Sequence, residues 1–287
     1  MKAFPIPVVA LGPGTQTEEE SLDYLPMPKE MDTYRAPMLP EPGEIAGRAV
    51  ARDVLGQVLT LLDQVAGGGV GGQIGLLNLP TEDRRLIDQV MGEGEASAIV
   101  REEASPLEVH IQESVFAGVW RLMTFNAGAL IDDVIEAGPV PALLRLVAKE
   151  DAESGYRPWL GPLPSNVQNA PLLVDEVRDQ VARWQPGQTS HVINLTLLPV
   201  TPEDIGFLDH QLGTGRVLLL SRGYGNCRIS NTRLPHCWRV VYYNSMDKAI
   251  LNTVEVVDMP EVAMAAPEDL RDSHERLQDI LTYLEST

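Results

Sequence analysis

Two stretches of this chain, residues 76–146 and 195–264, are similar to each other. Their shared anchor residues occur in the same order, and the members of each pair are 118 to 121 residues apart. The matched anchors are Leu79-Pro80 with Leu198-Pro199, Asp88 with Asp209, Gly92 and Gly94 with Gly213 and Gly215, Ile111 with Ile229, Trp120-Arg121 with Trp238-Arg239, Glu136 with Glu255, and Pro141 with Pro260. Self-similarity at a fixed separation is the signature of repeated structural units, so the repeat predicts two similar halves.

The pattern within each copy predicts an α+β fold built from two tandem similar modules. In the first copy, apolar stripes predict helices over 46–66, 81–91 and 139–149, with a strand before the second helix and three or four strands after it. A helix over 171–184 occupies the corresponding place in the second copy, and an amphipathic helix over 267–285 ends the chain. Because strands and helices do not alternate regularly, each module is predicted to be a small, mostly antiparallel sheet covered by helices.

Composition suggests where the domains begin and end. Residues 1–45 contain eight prolines and the acidic run Glu18–Glu20, which predicts an extended, Pro-rich acidic arm because proline fixes φ and lacks an N–H donor. The first α+β module is then predicted over 46–150 and the second over 151–287, with a linker rich in Pro, Gly, Ser and Asn at 150–168.

The charge balance narrows the classes of partner. With 41 acidic and 22 basic residues, the formal net charge is −19, so the surface repels phosphate backbones and anionic lipids and favours a basic protein partner. No apolar run approaches the roughly eighteen residues of a membrane span. The first apolar run is interrupted by Pro5 and Pro7 and is too short for a signal peptide. We therefore expect no nucleic-acid partner, no membrane insertion and a cytoplasmic location.

No catalytic, cofactor or metal site is predicted. The glycine-rich run at 66–75 lacks the lysine of a phosphate-binding loop, and the GxG pairs at 92–94 and 213–215 are typical of turns that end a helix. The five histidines have no zinc-ligand spacing, and no hydrolase elbow or triad pattern is present. Cys227 and Cys237 are predicted to be buried small side chains; alternatively, a neighbour such as Arg228 makes one of them a reactive thiol.

The repeated Trp-Arg dipeptides predict an inward tryptophan and an outward arginine on a central strand of each module. The alternative is an exposed arginine that helps a partner dock. The copies differ where Glu93, Glu95 and Glu113 of the first match Thr214, Arg216 and Asn231 of the second, which predicts modules with different surfaces. The candidate partner-binding residues are Glu93, Glu95, Glu113, Arg121, Arg216 and Arg239.

An ordered set of longer motifs runs through nearly the whole chain. In the N-terminal half it comprises LGPGTQ, LLNLP, GEGEASA and IQESVFAGVWR, and in the C-terminal half HVINLTLLP, RGYGNCRIS, LPHCWRV and MPEVAMAAPEDLRDS followed by ERL. With this set, the chain resembles the HupH/HyaF family of [NiFe]-hydrogenase expression/formation proteins.

The resemblance implies a function that the residues themselves do not reveal. Proteins of this family are accessory maturation factors, and the resemblance implies a chaperone for the iron–sulfur small subunit of an uptake-type [NiFe] hydrogenase. It would act in the cytoplasm before twin-arginine export, contacting the precursor, its signal-peptide region and possible further maturation proteins. The resemblance implies no catalytic residues for this chain, so no enzyme activity is expected. The alternative within the same pathway is a thiol-dependent redox or iron–sulfur transfer protein that uses Cys227 or Cys237.

Overall fold

The computed structural model describes residues 48–101, 104–223 and 225–285, which form an α+β protein. The helices of these residues are α1 (Ala49–Ala66), α2 (Thr81–Met91), α3 (Ala142–Glu153), α4 (Ala170–Arg183), α5 (Pro202–Leu212) and α6 (Pro267–Glu285). The strands are β1 (Gln73–Gly75), β2 (Ala96–Arg101), β3 (Leu107–Glu113), β4 (Val119–Asn126), β5 (Ala129–Ala137), β6 (His191–Asn194), β7 (Thr214–Ser221), β8 (Asn226–Thr232), β9 (Cys237–Tyr243) and β10 (Ala249–Val256). The arm predicted over residues 1–45 lies outside the described residues.

The chain divides into two compact units. The first unit takes the described part of 48–144 together with 219–223 and 261–285, and the second takes 145–218 and 225–260. Helix α6 therefore belongs to the unit built mainly from the N-terminal half, and most of α3 belongs to the other unit. The tandem modules bounded at 46–150 and 151–287 stay a prediction.

Each unit contains strands in the same relative order. In the first unit the order is β1-β5-β4-β3-β2, and in the second it is β6-β10-β9-β8-β7. Strand pairs β1–β5, β5–β4, β4–β3 and β3–β2 are antiparallel, as are β6–β10, β10–β9 and β9–β8. The predicted α+β class with antiparallel sheet is thus confirmed.

The core of the first unit forms where three amphipathic helices bury their apolar stripes. Along α1 the buried side chains recur every three or four residues, from Ala51 through Val54 and Val58 to Val65, as a one-sided helix requires. Helices α1 and α6 pack against each other, and Leu277 of α6 lies in the same buried apolar cluster as the α1 side chains. The remaining α6 members of that cluster are Leu270, Leu281 and Leu284.

In the second unit, one carboxylate organises the start of two helices. Thr201 and Asp204 form a capping box at the N-terminus of α5. The same Asp204 carboxylate accepts backbone N–H groups of Gln168, Asn169 and Ala170 at 2.8–3.0 Å, at the start of α4. These bonds satisfy amide groups that a helix start leaves unpaired, and they tie α4 to α5.

The two GxG pairs are helix-ending turns, as predicted. Gly92 ends α2 with φ 54° and Gly213 ends α5 with φ 70°, a region that side chains rarely adopt. At the second glycine of each pair, a Cβ would lie 2.1 Å from the carbonyl oxygen of Ser114 (Gly94) or the side chain of Asn231 (Gly215). Close packing therefore requires glycine at these two positions.

Candidate functional site

Three of the predicted partner-binding residues lie at the start and end of neighbouring strands in the first unit. Glu93 and Glu95 are exposed in the turn between α2 and β2, and Glu113 ends β3 in a half-buried position. The Glu113 carboxylate accepts the backbone N–H of Gly118 at 3.3 Å. Asp269 at the start of α6 adds a further nearby negative charge. The result is an acidic cluster: Glu95, Glu113 and Asp269.

Glu113 is the titratable member of this acidic cluster. Burial raises the pKa of its carboxyl from the ordinary 4.5 to about 7, and the charges of Glu95 and Asp269 act in the same direction. The backbone N–H groups of Gly118 and Ala96 oppose the shift without reversing it. Near neutral pH the side chain therefore takes up and releases a proton.

The predicted Trp-Arg pair of the first unit is buried on its tryptophan side. Trp120 is fully buried, and its indole N–H donates to the Gly138 carbonyl at 2.9 Å. Arg121 points to the other face of β4, where it donates through Nε and Nη2 to the two carboxylate oxygens of Asp133, each at 2.9 Å. It also pairs with Asp88 on α2, and Arg84 lies 3.9 Å from Asp133.

This arginine network is balanced in charge. The hydrogen bond to Asp133 and the charge of Asp88 raise the pKa of Arg121, although burial acts in the opposite direction. Burial raises the pKa of Asp88, while Arg121 opposes the shift. Two arginines thus face two carboxylates between the sheet and α2, which is a structural ion-pair network as well as a candidate docking point.

In the second unit, the Trp-Arg pair is buried on both sides. Trp238 is buried and its indole donates to the Asp258 carbonyl at 3.2 Å, as expected for an inward tryptophan. The Arg239 side chain is only 10% exposed, so the expected outward arginine is wrong at this position. The reason is tertiary: the face of β9 opposite Trp238 is covered by α5, whose Asp209 lies 3.2 Å from Arg239 Nε.

Arg216 is engaged with helix α3. Its backbone N–H and Nε both donate to the buried carboxylate of Asp151 at 2.7 Å, and its Nη2 donates to Glu150 at 2.7 Å. Asn231 donates to the same Asp151 at 2.9 Å. Although burial alone would raise the pKa of Asp151, these donors lower it below its ordinary value. Arg216 therefore holds α3 in place within the second unit, and its role toward a partner stays a prediction.

The two cysteines are poorly suited to thiolate chemistry. Both are buried, and neither is part of a disulfide. Burial raises the pKa of Cys227 to about 12 and that of Cys237 to about 12, so the thiolate is scarce at neutral pH. The Arg228 guanidinium does not lower the pKa of the Cys227 thiol, because consecutive strand residues point to opposite faces of the sheet. These side chains pack as small apolar groups, and the thiol alternative has no geometric support.

The sequence patterns did not predict the buried polar residues Asp133, Asp151 and Asn231, which hold Arg121 and Arg216 in place. Asp133 had a usable signal, because it lies on one face of a strand between Ile131 and Ile135 and a charge there needs a partner. Asp151 and Asn231 had none, since the residues that meet are 80 positions apart. Within the described ranges, no group of three or more His, Cys, Asp or Glu is arranged to hold a metal ion. No helix among the same residues is long and apolar enough to cross a membrane.

Comparison with known proteins covers the whole chain. The family model described as "HupH hydrogenase expression protein, C-terminal conserved region" matches twice, over residues 49–158 and 167–284. The hydrogenase expression/formation protein HoxQ of Cupriavidus necator is 51% identical over 100% of both chains. HupH of Rhodobacter capsulatus is 44% identical over 97% of both chains. The hydrogenase-1 operon protein HyaF of Escherichia coli is 32% identical over 96% of this chain and 95% of its own.

The double match agrees with the repeat found in the sequence, because both copies fit one family description. The relatives are named for the expression and formation of hydrogenases and not for a catalytic activity. The alignment with HoxQ covers the whole chain and therefore includes both units. The chain belongs to the family of HupH hydrogenase expression proteins.

Proposed function

We propose that this protein is a non-catalytic accessory maturation factor that holds the iron–sulfur small-subunit precursor of an uptake-type [NiFe] hydrogenase. It acts in the cytoplasm before twin-arginine export and binds the precursor together with its signal-peptide region. The observation that carries the proposal is similarity over the full length to relatives named as hydrogenase expression/formation proteins.

Charge supports a basic client. The formal net charge is −19, and exposed carboxylates such as Glu93 and Glu95 are not used in the described ion pairs. A signal peptide begins with a positively charged segment, so an acidic surface attracts it and accelerates association. Ionic attraction of this kind weakens as salt increases, which gives the proposal a direct test.

Exposed apolar side chains next to an edge strand support a client with an apolar segment. Strand β6 is the outer strand of the second unit and has only four residues. Val192 within it is exposed, and Leu197 in the following turn is 80% exposed. An extended apolar segment of a partner can pair with such an edge while its side chains contact these residues.

Charge-swap variants test the acidic surface. The double variant Glu93→Lys/Glu95→Lys should lower the affinity for the precursor roughly tenfold at low salt, because it replaces attraction by repulsion. The control Asp53→Lys/Asp175→Lys changes the net charge equally at exposed helix positions. Affinity is measured by biolayer interferometry at several salt concentrations.

The precursor lacking its signal peptide is the second arm of this experiment. We expect it to bind more weakly and with less dependence on salt than the complete precursor. If both double variants bind like the unmodified protein, and the shortened precursor binds equally well at every salt concentration, the acidic surface is not the binding site.

A further inference from the structure

Arg121 and Arg239 occupy the same register in their sheets. Arg121 lies opposite Ile135 on the neighbouring strand, and Arg239 lies opposite Val254. The next residue on the same face of the neighbouring strand, diagonal to the arginine, is Asp133 in the first unit. There the diagonal pair forms two parallel hydrogen bonds of 2.9 Å, so the guanidinium charge is neutralised inside the sheet face.

In the second unit the diagonal position holds Asn252. Its strand register is the same, because Asn252 lies opposite Val241 as Asp133 lies opposite Met123. Arg239 does not bond to it. Among the described residues, the Nη1 and Nη2 atoms of Arg239 and the Oδ1 atom of Asn252 are buried without a hydrogen-bond partner. A buried guanidinium with both terminal nitrogens unpaired is destabilising unless something binds there.

The neighbouring positions make the local charge more positive still. Arg228 lies opposite Val241, at the register position that His110 occupies opposite Met123 in the first unit. Asp209 on α5 is the carboxylate that faces both arginines. Burial raises the pKa of Asp209, although Arg239 and Arg228 oppose the shift. Two arginines thus share one carboxylate, whereas Arg84 and Arg121 share two.

We propose that Arg239 is the centre of a binding site for one carboxylate group, which supplies the charge that Asp133 supplies in the first unit. Asp209 Oδ1 already lies 3.2 Å from Nε as an ion-pair partner, so the incoming group binds end-on to Nη1 and Nη2. This end of a guanidinium presents two parallel N–H donors that match the two oxygens of a carboxylate. Nη1 and Nη2 are themselves buried, whereas the neighbouring Asp209 side chain is partly exposed, so the proposed ligand enters from the Asp209 side.

The carboxylate can belong to a small organic acid or to an acidic side chain of a bound protein, and two probes distinguish these sources. Sodium formate represents the free anion, and N-acetyl-glutamate amide represents a side chain. Sodium chloride at equal ionic strength is the reference. Saturating formate should raise the Tm by roughly 2–4 °C above chloride, because a ligand that binds only the folded state stabilises it. A larger rise with the glutamate derivative identifies a protein side chain as the source.

Asn252→Asp is the variant that tests the site itself. The new carboxylate should neutralise Arg239 from the diagonal position by pairing with its terminal nitrogens, so the variant should lose the formate-dependent rise in Tm. Line broadening of ¹³C-formate in NMR, measured at 25 °C, should also disappear in this variant, and this readout is independent of unfolding. Arg239→Gln should lose both the rise in Tm and the line broadening. It serves as the test variant if Asn252→Asp does not fold.

Asp133→Asn is the reciprocal control, because it gives the first unit the residue found in the second. It should add a second formate site and increase the broadening. Equal responses of the unmodified protein and Asn252→Asp to formate would overturn the proposal, as would the absence of any response beyond chloride.

Discussion

At the scale of single residues, the carboxylates of Asp151 and Glu113 show how the surroundings of a side chain decide its ionisation. Asp151 receives hydrogen bonds from Arg216 and Asn231, and these donors lower its pKa. Glu113 is the residue that matches Asn231 in the first copy, and it faces Glu95 and Asp269 instead of arginines. Burial therefore raises its pKa to about 7. The carboxylate type is visible in the sequence, but its protonation depends on which charges the fold places beside it.

The substitution Glu113→Gln should change how stability depends on pH. The pKa of Glu113 is about 7 in the folded state and 4.5 in the unfolded chain, so the folded state binds the proton more tightly. This contribution to stability is complete below about pH 4.5, decreases between pH 4.5 and 7, and is lost above pH 7. Glutamine imitates the protonated form, so the variant should gain on the order of 1–3 kcal/mol over the unmodified protein between pH 5 and 8.

Urea unfolding at pH 5, 6, 7 and 8 measures this difference. Glu93→Gln is the matched control, because it removes an exposed carboxylate from the same region. A constant difference between Glu113→Gln and the unmodified protein across this pH range would show that Glu113 is ionised throughout.

At the scale of elements, local pattern predicted most helices well. The predicted helix 81–91 coincides with α2, and 171–184 differs from α4 by one residue at each end. The helix predicted over 139–149 begins at Ala142 and ends at Glu153 instead. The pattern misses this end because three of the residues 150–153 are acidic and the linker composition begins at 150. In the structure, the buried Asp151 anchors the last turn through its bonds to Arg216 and Asn231.

Substitution of Asp204 should destabilise the junction of α4 and α5. Asp204→Ala removes a helix cap and the acceptor of three further N–H groups, so a loss of about 3 kcal/mol is expected. Thr201→Ala removes only the threonine half of the capping box and should cost about 1 kcal/mol. Guanidinium unfolding at pH 7 compares the two variants.

The effect of Asp204 should also depend on pH. Hydrogen bonds from Thr201 and from residues 168–170 lower the pKa of Asp204 to about 2, although burial acts in the opposite direction. The stabilisation is complete above about pH 3.8 and decreases as the pH falls toward 2. The difference between Asp204→Ala and the unmodified protein should therefore be smaller at pH 2.5 than at pH 7. An equal difference at both pH values would contradict this assignment.

At the scale of the whole molecule, the chain completes its first unit with its last helix. Helix α6 packs against α1, and Leu277 lies in the same buried cluster as Leu55 and Leu62. The amphipathic stripe of α6 is evident in the sequence, but its partner is more than 200 positions earlier. Periodicity specifies that a face is buried and not what covers it.

Leu277→Ala should therefore destabilise the first unit by about 2–5 kcal/mol, the usual effect of removing a fully buried leucine. Leu172→Ala, at a leucine that is 73% exposed on α4, is the control and should change the unfolding free energy by less than about 0.5 kcal/mol. Hydrogen exchange should show faster exchange in α1 for Leu277→Ala. Unchanged protection of α1 would mean that α6 does not secure this core.

The sequence by itself determined the α+β class, the repeated order of elements, the apolar faces of the helices and the acidic character of the surface. Each of these depends on residues close together in the chain or on composition alone. Only the tertiary structure decided that Arg239 is buried, that Asn252 leaves it without the carboxylate that Asp133 gives Arg121, and that α6 covers α1. The physical reason is that burial and ion pairing depend on distant segments meeting across a sheet face, and local periodicity does not specify which segments meet.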